Sequence, residues 1–253
     1  MSPSGGPGGV TGEPRRPWLV TGDRLKVVGR RRYCRGEREG TRLSEQTSTP
    51  KLTGQFSKAL VYAELKHHNQ VRKGGDIPYV GHLLSVAGLV INDGGSEAQA
   101  IAALLHDAAE DAGGPETLEE IRANFGDDVA RIVEECSDTV ETPKPAWRKR
   151  KQNYINHLAG VGADTLLVSL ADKLDNARAM LRDYHSDGPS LWERFTVKDP
   201  HDHLWYYGGL LKAYRDRGCP SWMVEELGRV VGELRCLIDE ELTSDGLITL
   251  RRP

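Results

Sequence analysis

The sequence predicts an all-α fold, and three observations carry that prediction. From Gln55 onward apolar residues recur at helical spacing, no stretch alternates in the manner of a half-buried strand, and short Gly- and Pro-bearing turns separate the periodic segments. Of 253 residues, 38% are hydrophobic and 28% charged, enough for one good core or for one domain with appendages. A single catalytic domain is the expectation.

The elements follow in order. Phe56, Ala59, Leu60 and Ala63 at i, i+3, i+4 and i+7 predict a first helix from about Gln55 to Val71. The run Lys73-Gly74-Gly75-Asp76-Ile77-Pro78 stops it and opens the next, whose first turns hold His82 and which extends to about Asn92. After Asp93-Gly94-Gly95, Ser96 is a natural N-cap with Gln99 as its capping-box partner, and the third helix is expected to reach Asp111. Shorter helices are expected at Thr117 to Asn124, Asp128 to Ser137 and Trp147 to Leu158, with Pro143 and Pro145 forming a linker before the last. A strong helix covers Thr165 to Tyr184; beyond Gly188-Pro189, two more are expected near Asp202 to Arg217 and Ser221 to Glu241. No internal repeat is visible. The expected organisation is a tail at 1–51, a domain at 52–243 and a short tail at 244–253.

Charge divides along the same boundary. Residues 1–51 hold 11 Lys/Arg against 5 Asp/Glu, about +6, and the remainder hold 23 against 32, about −9, within a net charge of −3. With Arg30-Arg31-Arg32 and little apolar periodicity, the basic segment reads as a disordered extension, or as the product of a start codon placed too far upstream. Nucleic-acid contact through it is the less favoured reading. No apolar run approaches the roughly 20 residues that span a bilayer, and Met1 to Val10 lacks the pattern of a signal peptide, so a soluble cytoplasmic protein without a membrane partner is expected. Cys34, Cys136, Cys219 and Cys236 have neither C-x-x-C pairing nor zinc-site spacing and read as free thiols. Nothing in the sequence sets an oligomeric state.

Two helices concentrate candidate chemistry. Stepped at 100° per residue, Ile101, Leu104, Leu105 and Ala108 form an apolar stripe, with His106, Asp107, Glu110 and Asp111 on the other side as two i, i+4 columns. No Lys or Arg between Glu97 and Asp111 neutralises the carboxylates, so a buried face needs a cation, because an unpaired buried carboxylate costs on the order of several kcal/mol. In the Thr165 to Tyr184 helix, Leu167, Leu170, Leu174, Ala177 and Leu181 form the core stripe, and Ser169, Asp172, Asn176 and Ala179 lie opposite. A solvated polar face competes with a metal site on both helices, and His82 alone fits a core or surface histidine equally well.

The phrases around these residues are more specific. The segment Arg72-Lys73-Gly74-Gly75-Asp76-Ile77-Pro78-Tyr79-Val80-Gly81-His82 resembles the R-K-x-G-x-P-Y-x-x-H motif of the RelA/SpoT hydrolase domain and its small stand-alone relatives, alarmone hydrolases of the metazoan SpoT homologue type. His106-Asp107-Ala108-Ala109-Glu110-Asp111 resembles their H-D-x-x-E-D signature, and Leu170-Ala171-Asp172-Lys173-Leu174-Asp175-Asn176-Ala177-Arg178 their L-A-D-(R/K)-L-x-N-x-R segment. The three occur in order over residues 56 to about 180, roughly half the chain, and imply a helical bundle of the HD superfamily.

The resemblance implies that His82, His106, Asp107 and Asp172 bind one divalent metal, usually manganese; two imidazoles and two carboxylates suit manganese or iron. It implies that Glu110 positions or deprotonates water with Asp111 assisting, that Arg72 and Lys73 flank a nucleotide, that Asn176 contacts ribose and that Tyr206, in Trp205-Tyr206-Tyr207, contacts substrate. The competing readings are a basic C-terminal end of helix one for Arg72 and Lys73, and core packing for Tyr206. Two departures bear on base recognition: Ala112-Gly113-Gly114 follow the signature where Thr is usual, and Asp175 stands where His is common. The roughly 70 residues after Asp183 leave no room for a synthetase domain. The remaining histidines, His67, His68, His157, His185, His201 and His203, read as surface. The resemblance thus favours a metal-dependent guanosine 3′,5′-bis(diphosphate) 3′-pyrophosphohydrolase without synthetase activity. An HD phosphohydrolase for another nucleotide and a non-catalytic nucleotide-binding HD module are the alternatives.

Overall fold

The computed structural model describes residues 52–139 and 145–249. The expected basic tail at 1–51, Cys34 and Pro143 lie outside the described residues. Within them the chain is helical, and the one β feature is an isolated antiparallel bridge between Val71 and Pro78.

Helix α1 (Gly54–His67) begins where the Thr53 hydroxyl accepts the Gln55 N–H at 3.1 Å. It ends four residues before the expected Val71. Residues 68–79 form a tight excursion instead, closed by the Val71–Pro78 bridge and by Arg72 N–H donating to the Ile77 carbonyl at 2.9 Å. Arg72 and Lys73 therefore sit on this loop rather than on the basic end of a helix, whose last turn carries Lys66 and His67. Gly74 is required there. Its φ is +81°, and a Cβ would lie 2.1 Å from Arg194 Cδ.

Helix α2 (Val80–Asn92) is followed by α3 (Glu97–Leu105), which opens with the expected capping box: Ser96 Oγ accepts Gln99 N–H at 3.3 Å and Gln99 Oε1 accepts Ser96 N–H at 2.7 Å. Residues 100–105 are buried on every side, so α3 is a central helix without a polar face. The uninterrupted run to Asp111 does not occur. The helix breaks at His106-Asp107 and resumes as α4 (Ala108–Asp111). The His106 side chain supplies a local cause: its Nδ1 donates at 2.8 Å to the Ala103 carbonyl, the acceptor that an unbroken helix would offer to the Asp107 N–H.

Pro115 in the first turn starts α5 (Gly114–Phe125), which is followed by α6 (Asp127–Cys136) and α7 (Trp147–His157). The long α8 (Ala163–Asp187) stops at Gly188, with φ +57°, and gives way to a 3₁₀ helix (Gly188–Arg194). Helix α9 (Pro200–Asp216) is capped by Asp199, and α10 (Trp222–Thr249) continues past residue 243.

The bundle is organised around α3 and α8. Helix α3 packs on α1, α2, α6 and α8, while α8 also meets α2, α6, α10 and the 3₁₀ helix. Leu83, Leu104, Leu105, Leu170 and Leu174 are fully buried between them, each contributing about 1.5–3 kcal/mol from burial. Ser169, expected on the polar side of α8, is also buried, at 2.7 Å from both the Tyr154 and Tyr214 hydroxyls, while Leu167 is only half-buried. His67 and His203 are buried too, contrary to the surface reading; His67 Nδ1 donates to Gln70 Oε1 and His203 Nε2 to the Val197 carbonyl. Cys136, Cys219 and Cys236 are free thiols. Among the described residues no helix is long and apolar enough to cross a membrane.

Candidate metal centre and its cavity

Helix α2 contributes His82, the α3–α4 break contributes His106 and Asp107, and α8 contributes Asp172. Asp172 Oδ1 lies 3.2 Å from His82 Nε2 and 3.5 Å from His106 Nε2; Asp107 Oδ2 lies 3.7 Å and 3.0 Å from the same two atoms. Among the described residues, His82, His106 and Asp107 offer donor atoms that all lie within 4.8 Å of one another. The break in α3 matters here, since it turns both His106 and Asp107 toward one point.

The donor set fits a divalent cation. His106 Nδ1 faces a carbonyl that can only accept, and His82 Nδ1 lies 2.6 Å from Asp175 Oδ2, so each ring in its neutral form carries its proton on Nδ1 and presents an Nε2 lone pair inward. Both Nε2 atoms are buried and have no hydrogen-bond partner, despite the carboxylate oxygens within ion-pair distance. Burial works against positive charge on either ring. The carboxylates outweigh it, Asp172 and Asp175 at His82 and Asp107 and Asp172 at His106, and hold both imidazoles above their ordinary pKa. In the same field burial raises Asp107 and Asp172, yet His106 brings Asp107 below the usual carboxylate range, and Lys173 with His106 brings Asp172 well below it. A field that favours protons here also favours a metal cation.

Both carboxylates are also held by neighbouring side chains. Tyr79 donates its hydroxyl to Asp107 Oδ2 at 2.5 Å; Asn176 Nδ2 donates to Asp172 Oδ1 and Lys173 Nζ to Asp172 Oδ2, each at 2.5 Å. Above them opens a cavity of about 370 Å³. Six carboxylates line it, Asp107, Glu110, Asp111, Asp138, Asp172 and Asp183, against four cations, Arg72, Lys73, Lys151 and Lys173. Two of these carboxylates are paired with arginines outside the lining, Asp138 with Arg150 and Asp183 with Arg194.

Every sequence-predicted site residue reaches this place. Asp107, Asp172, Glu110, Asp111, Arg72, Lys73, Asn176 and Tyr206 line the cavity; His82 and His106 do not line it but lie buried against Asp107 and Asp172, with which they make up the floor of the site. Glu110 Oε2 accepts the Asp138 N–H at 3.2 Å. Asp111 Oδ2 accepts from Gln70 Nε2 at 2.8 Å, and burial, with the charges of Asp107 and Glu110, pushes the Asp111 carboxyl above its ordinary value. Arg72 Nη2 donates to Asn176 Oδ1 at 3.0 Å. The Tyr206 ring is in the core, as the packing reading expected, and its buried hydroxyl has no hydrogen-bond partner. Burial pushes that phenol up.

Sequence reasoning missed Tyr79, Lys151, Lys173 and Asp175. Tyr79 and Lys173 stood inside the quoted motifs but had no assigned role; Lys151, whose Nζ lies 4.9 Å from the Tyr206 ring, carried no local signal. Asp175 had been weighed for base recognition, yet it does not line the cavity and lies behind His82.

A family model for the HD domain matches residues 59–197, more than half of the chain. The chain belongs to the HD-domain family. This HD-domain protein is similar to guanosine-3′,5′-bis(diphosphate) 3′-pyrophosphohydrolase MESH1 of Xenopus tropicalis, at 39% identity over 141 residues that make up 54% of this chain and 74% of the relative. It is similar to MESH1 of Homo sapiens at 34% identity over 148 residues, 57% of this chain and 78% of the relative. Among solved structures, the lmo0812 protein of Listeria monocytogenes EGD-e is 30% identical with a TM-score of 0.52, covering 59% of this chain and 96% of that one.

Proposed function

We propose that this HD-domain protein is a manganese-dependent guanosine 3′,5′-bis(diphosphate) 3′-pyrophosphohydrolase. One observation carries the reading: two buried, partnerless imidazole nitrogens beside Asp107 and Asp172, next to a cavity that Arg72, Lys73 and Lys151 also line. The relatives named for this reaction share more than half of the chain, and their motifs coincide with the residues that line the cavity.

His82, His106, Asp107 and Asp172 would hold the cation, with iron as the alternative to manganese that the same donors accept. When bound, the cation supplies a more acidic water and polarises the phosphoryl group. The other steps belong to the chain. Glu110 takes the proton of the attacking water, and Asp111, aimed by Gln70, orients it. Arg72 offers a planar fork and Lys73 a point charge to the phosphates, and Arg72 and Asn176, already hydrogen-bonded, face the nucleoside together. Lys151 and the unpartnered Tyr206 hydroxyl provide donors on the opposite wall. Water adds across the 3′ phosphoester, giving GDP and pyrophosphate.

The test is incubation of purified protein with manganese and the tetraphosphate, reading pyrophosphate and GDP, beside a panel holding a deoxynucleoside triphosphate and NADPH. The expected result is turnover of the bis-diphosphate that exceeds the others by orders of magnitude. Pyrophosphate absent from a metal-loaded preparation, or a faster panel member, would overturn the assignment.

A further inference from the structure

Asp175 stands where the family motif commonly has His, and it makes no contact with the cavity. Its carboxylate is committed on the far side of His82. Oδ2 lies 2.6 Å from His82 Nδ1, and Oδ1 accepts the hydroxyl of Ser85. Asp172 and Asp175 are three apart on α8, and His82 and Ser85 three apart on α2, so each pair projects from one side of its helix. Across the α2–α8 contact, one imidazole is therefore approached at both nitrogens by carboxylates of the same helix: Asp172 at Nε2, 3.2 Å away, and Asp175 at Nδ1.

The second histidine has no such device. His106 is oriented by the Ala103 backbone carbonyl, which no side-chain replacement can alter. His82 depends on a residue that a single substitution removes. An ionised carboxylate can only accept, so it forces the proton onto Nδ1 and leaves the Nε2 lone pair for a cation; an imidazole in its place could donate or accept and would enforce neither tautomer.

We propose that Asp175, braced by Ser85, is a positioning residue for the metal centre, fixing the orientation of His82 as an Nε2 donor. The proposal rests on the reading of His82 as a metal ligand. Groups that orient a ligating histidine in this way are worth about 10- to 100-fold in metal affinity. Thus the departure from the family motif acts on cation retention.

The experiment measures manganese affinity of the full-length, metal-stripped protein by competition with a chelating indicator, for the natural chain, Asp175→Asn and Ser85→Ala. Thermal unfolding without metal and the ligand-field absorption of the cobalt-saturated protein are recorded in parallel. The expected result is a loss of about 10- to 100-fold in affinity for Asp175→Asn, a loss of about two- to tenfold for Ser85→Ala from one weakened hydrogen bond, and a shifted cobalt band in Asp175→Asn at full occupancy. A mere tether between α2 and α8 would lower the metal-free melting temperature while leaving affinity and band unchanged, and that outcome overturns the proposal. Should Asp175→Asn fail to fold, unchanged affinity in Ser85→Ala overturns it equally. A natural chain that binds manganese but releases no pyrophosphate sinks the assigned reaction while leaving the affinity comparison intact; one that binds no manganese sinks both.

Discussion

The floor and the rim of the cavity are built differently. On the floor, every candidate ligand is gripped by a further group: His82 by Asp175, His106 by the Ala103 carbonyl, Asp107 by Tyr79, Asp172 by Lys173 and Asn176. At the rim, Lys73 is exposed on the loop at 68–79, and the Tyr206 hydroxyl has no partner. The floor is preorganised by the core around it, because α2, α3 and α8, which carry it, pack against one another through buried faces. The rim keeps donors in reserve, as a site must if its contacts are to form with substrate.

Damage to the floor should be all-or-none. Asp107→Ala is expected to abolish stoichiometric manganese uptake and turnover, read by metal analysis after gel filtration. Asp172→Ala should do the same and also leave Lys173 buried without its ion pair, at about 3–5 kcal/mol in urea unfolding. Uptake retained at full stoichiometry in Asp107→Ala would erase the distinction between floor and rim.

Glu110→Ala separates holding the cation from using it. Metal content should stay at the natural level while kcat falls by about 10²- to 10⁴-fold, the worth of a general base. Loss of metal in this variant would move Glu110 into the floor.

Protons test the floor's charge balance. Both imidazoles are held above their ordinary pKa, so below that value each carries a proton that cation uptake must displace. Manganese affinity should therefore rise with pH, by at most about two decades per unit for two protons released, and level off once both rings are neutral. Calorimetry in buffers of different ionisation enthalpy counts those protons, and zero release would contradict the two-imidazole floor.

Rim substitutions should be graded. Lys73→Ala is expected to raise KM about 10- to 100-fold, the value of a hydrogen bond to a charged group, with an effect that shrinks in salt. Smallest is Tyr206→Phe, with KM raised about two- to tenfold and no loss of folding stability, since it deletes a buried hydroxyl that the free protein leaves unsatisfied. A marked drop in stability for Tyr206→Phe would show that the hydroxyl is part of the core.

Legibility followed the range of the interactions involved. Caps and periodicity are local, so the Ser96–Gln99 box, the start of α2 near His82 and the extent of α8 could all be read from neighbouring residues. The motif residues were legible because their spacing within each helix already groups them on one side. The break at His106-Asp107 was hidden, because the helical period continues through it and only the His106 side chain's bond to Ala103 interrupts the backbone ladder. The buried faces of His67, Ser169 and His203 were hidden for another reason: a polar residue on a wheel looks solvated until a partner helix covers it.

By itself, then, the sequence determined the helices, their order and which side chains could chelate, since each is a property of residues within a few turns of one another. Tertiary structure decided how those side chains are held: Arg72 on a loop rather than a helix end, Lys151 brought beside Tyr206, and Asp175 turned toward His82 instead of the cavity. The last two depend on where α2 crosses α8 and where α7 meets α9, contacts between residues 50 to 100 positions apart that no local period encodes.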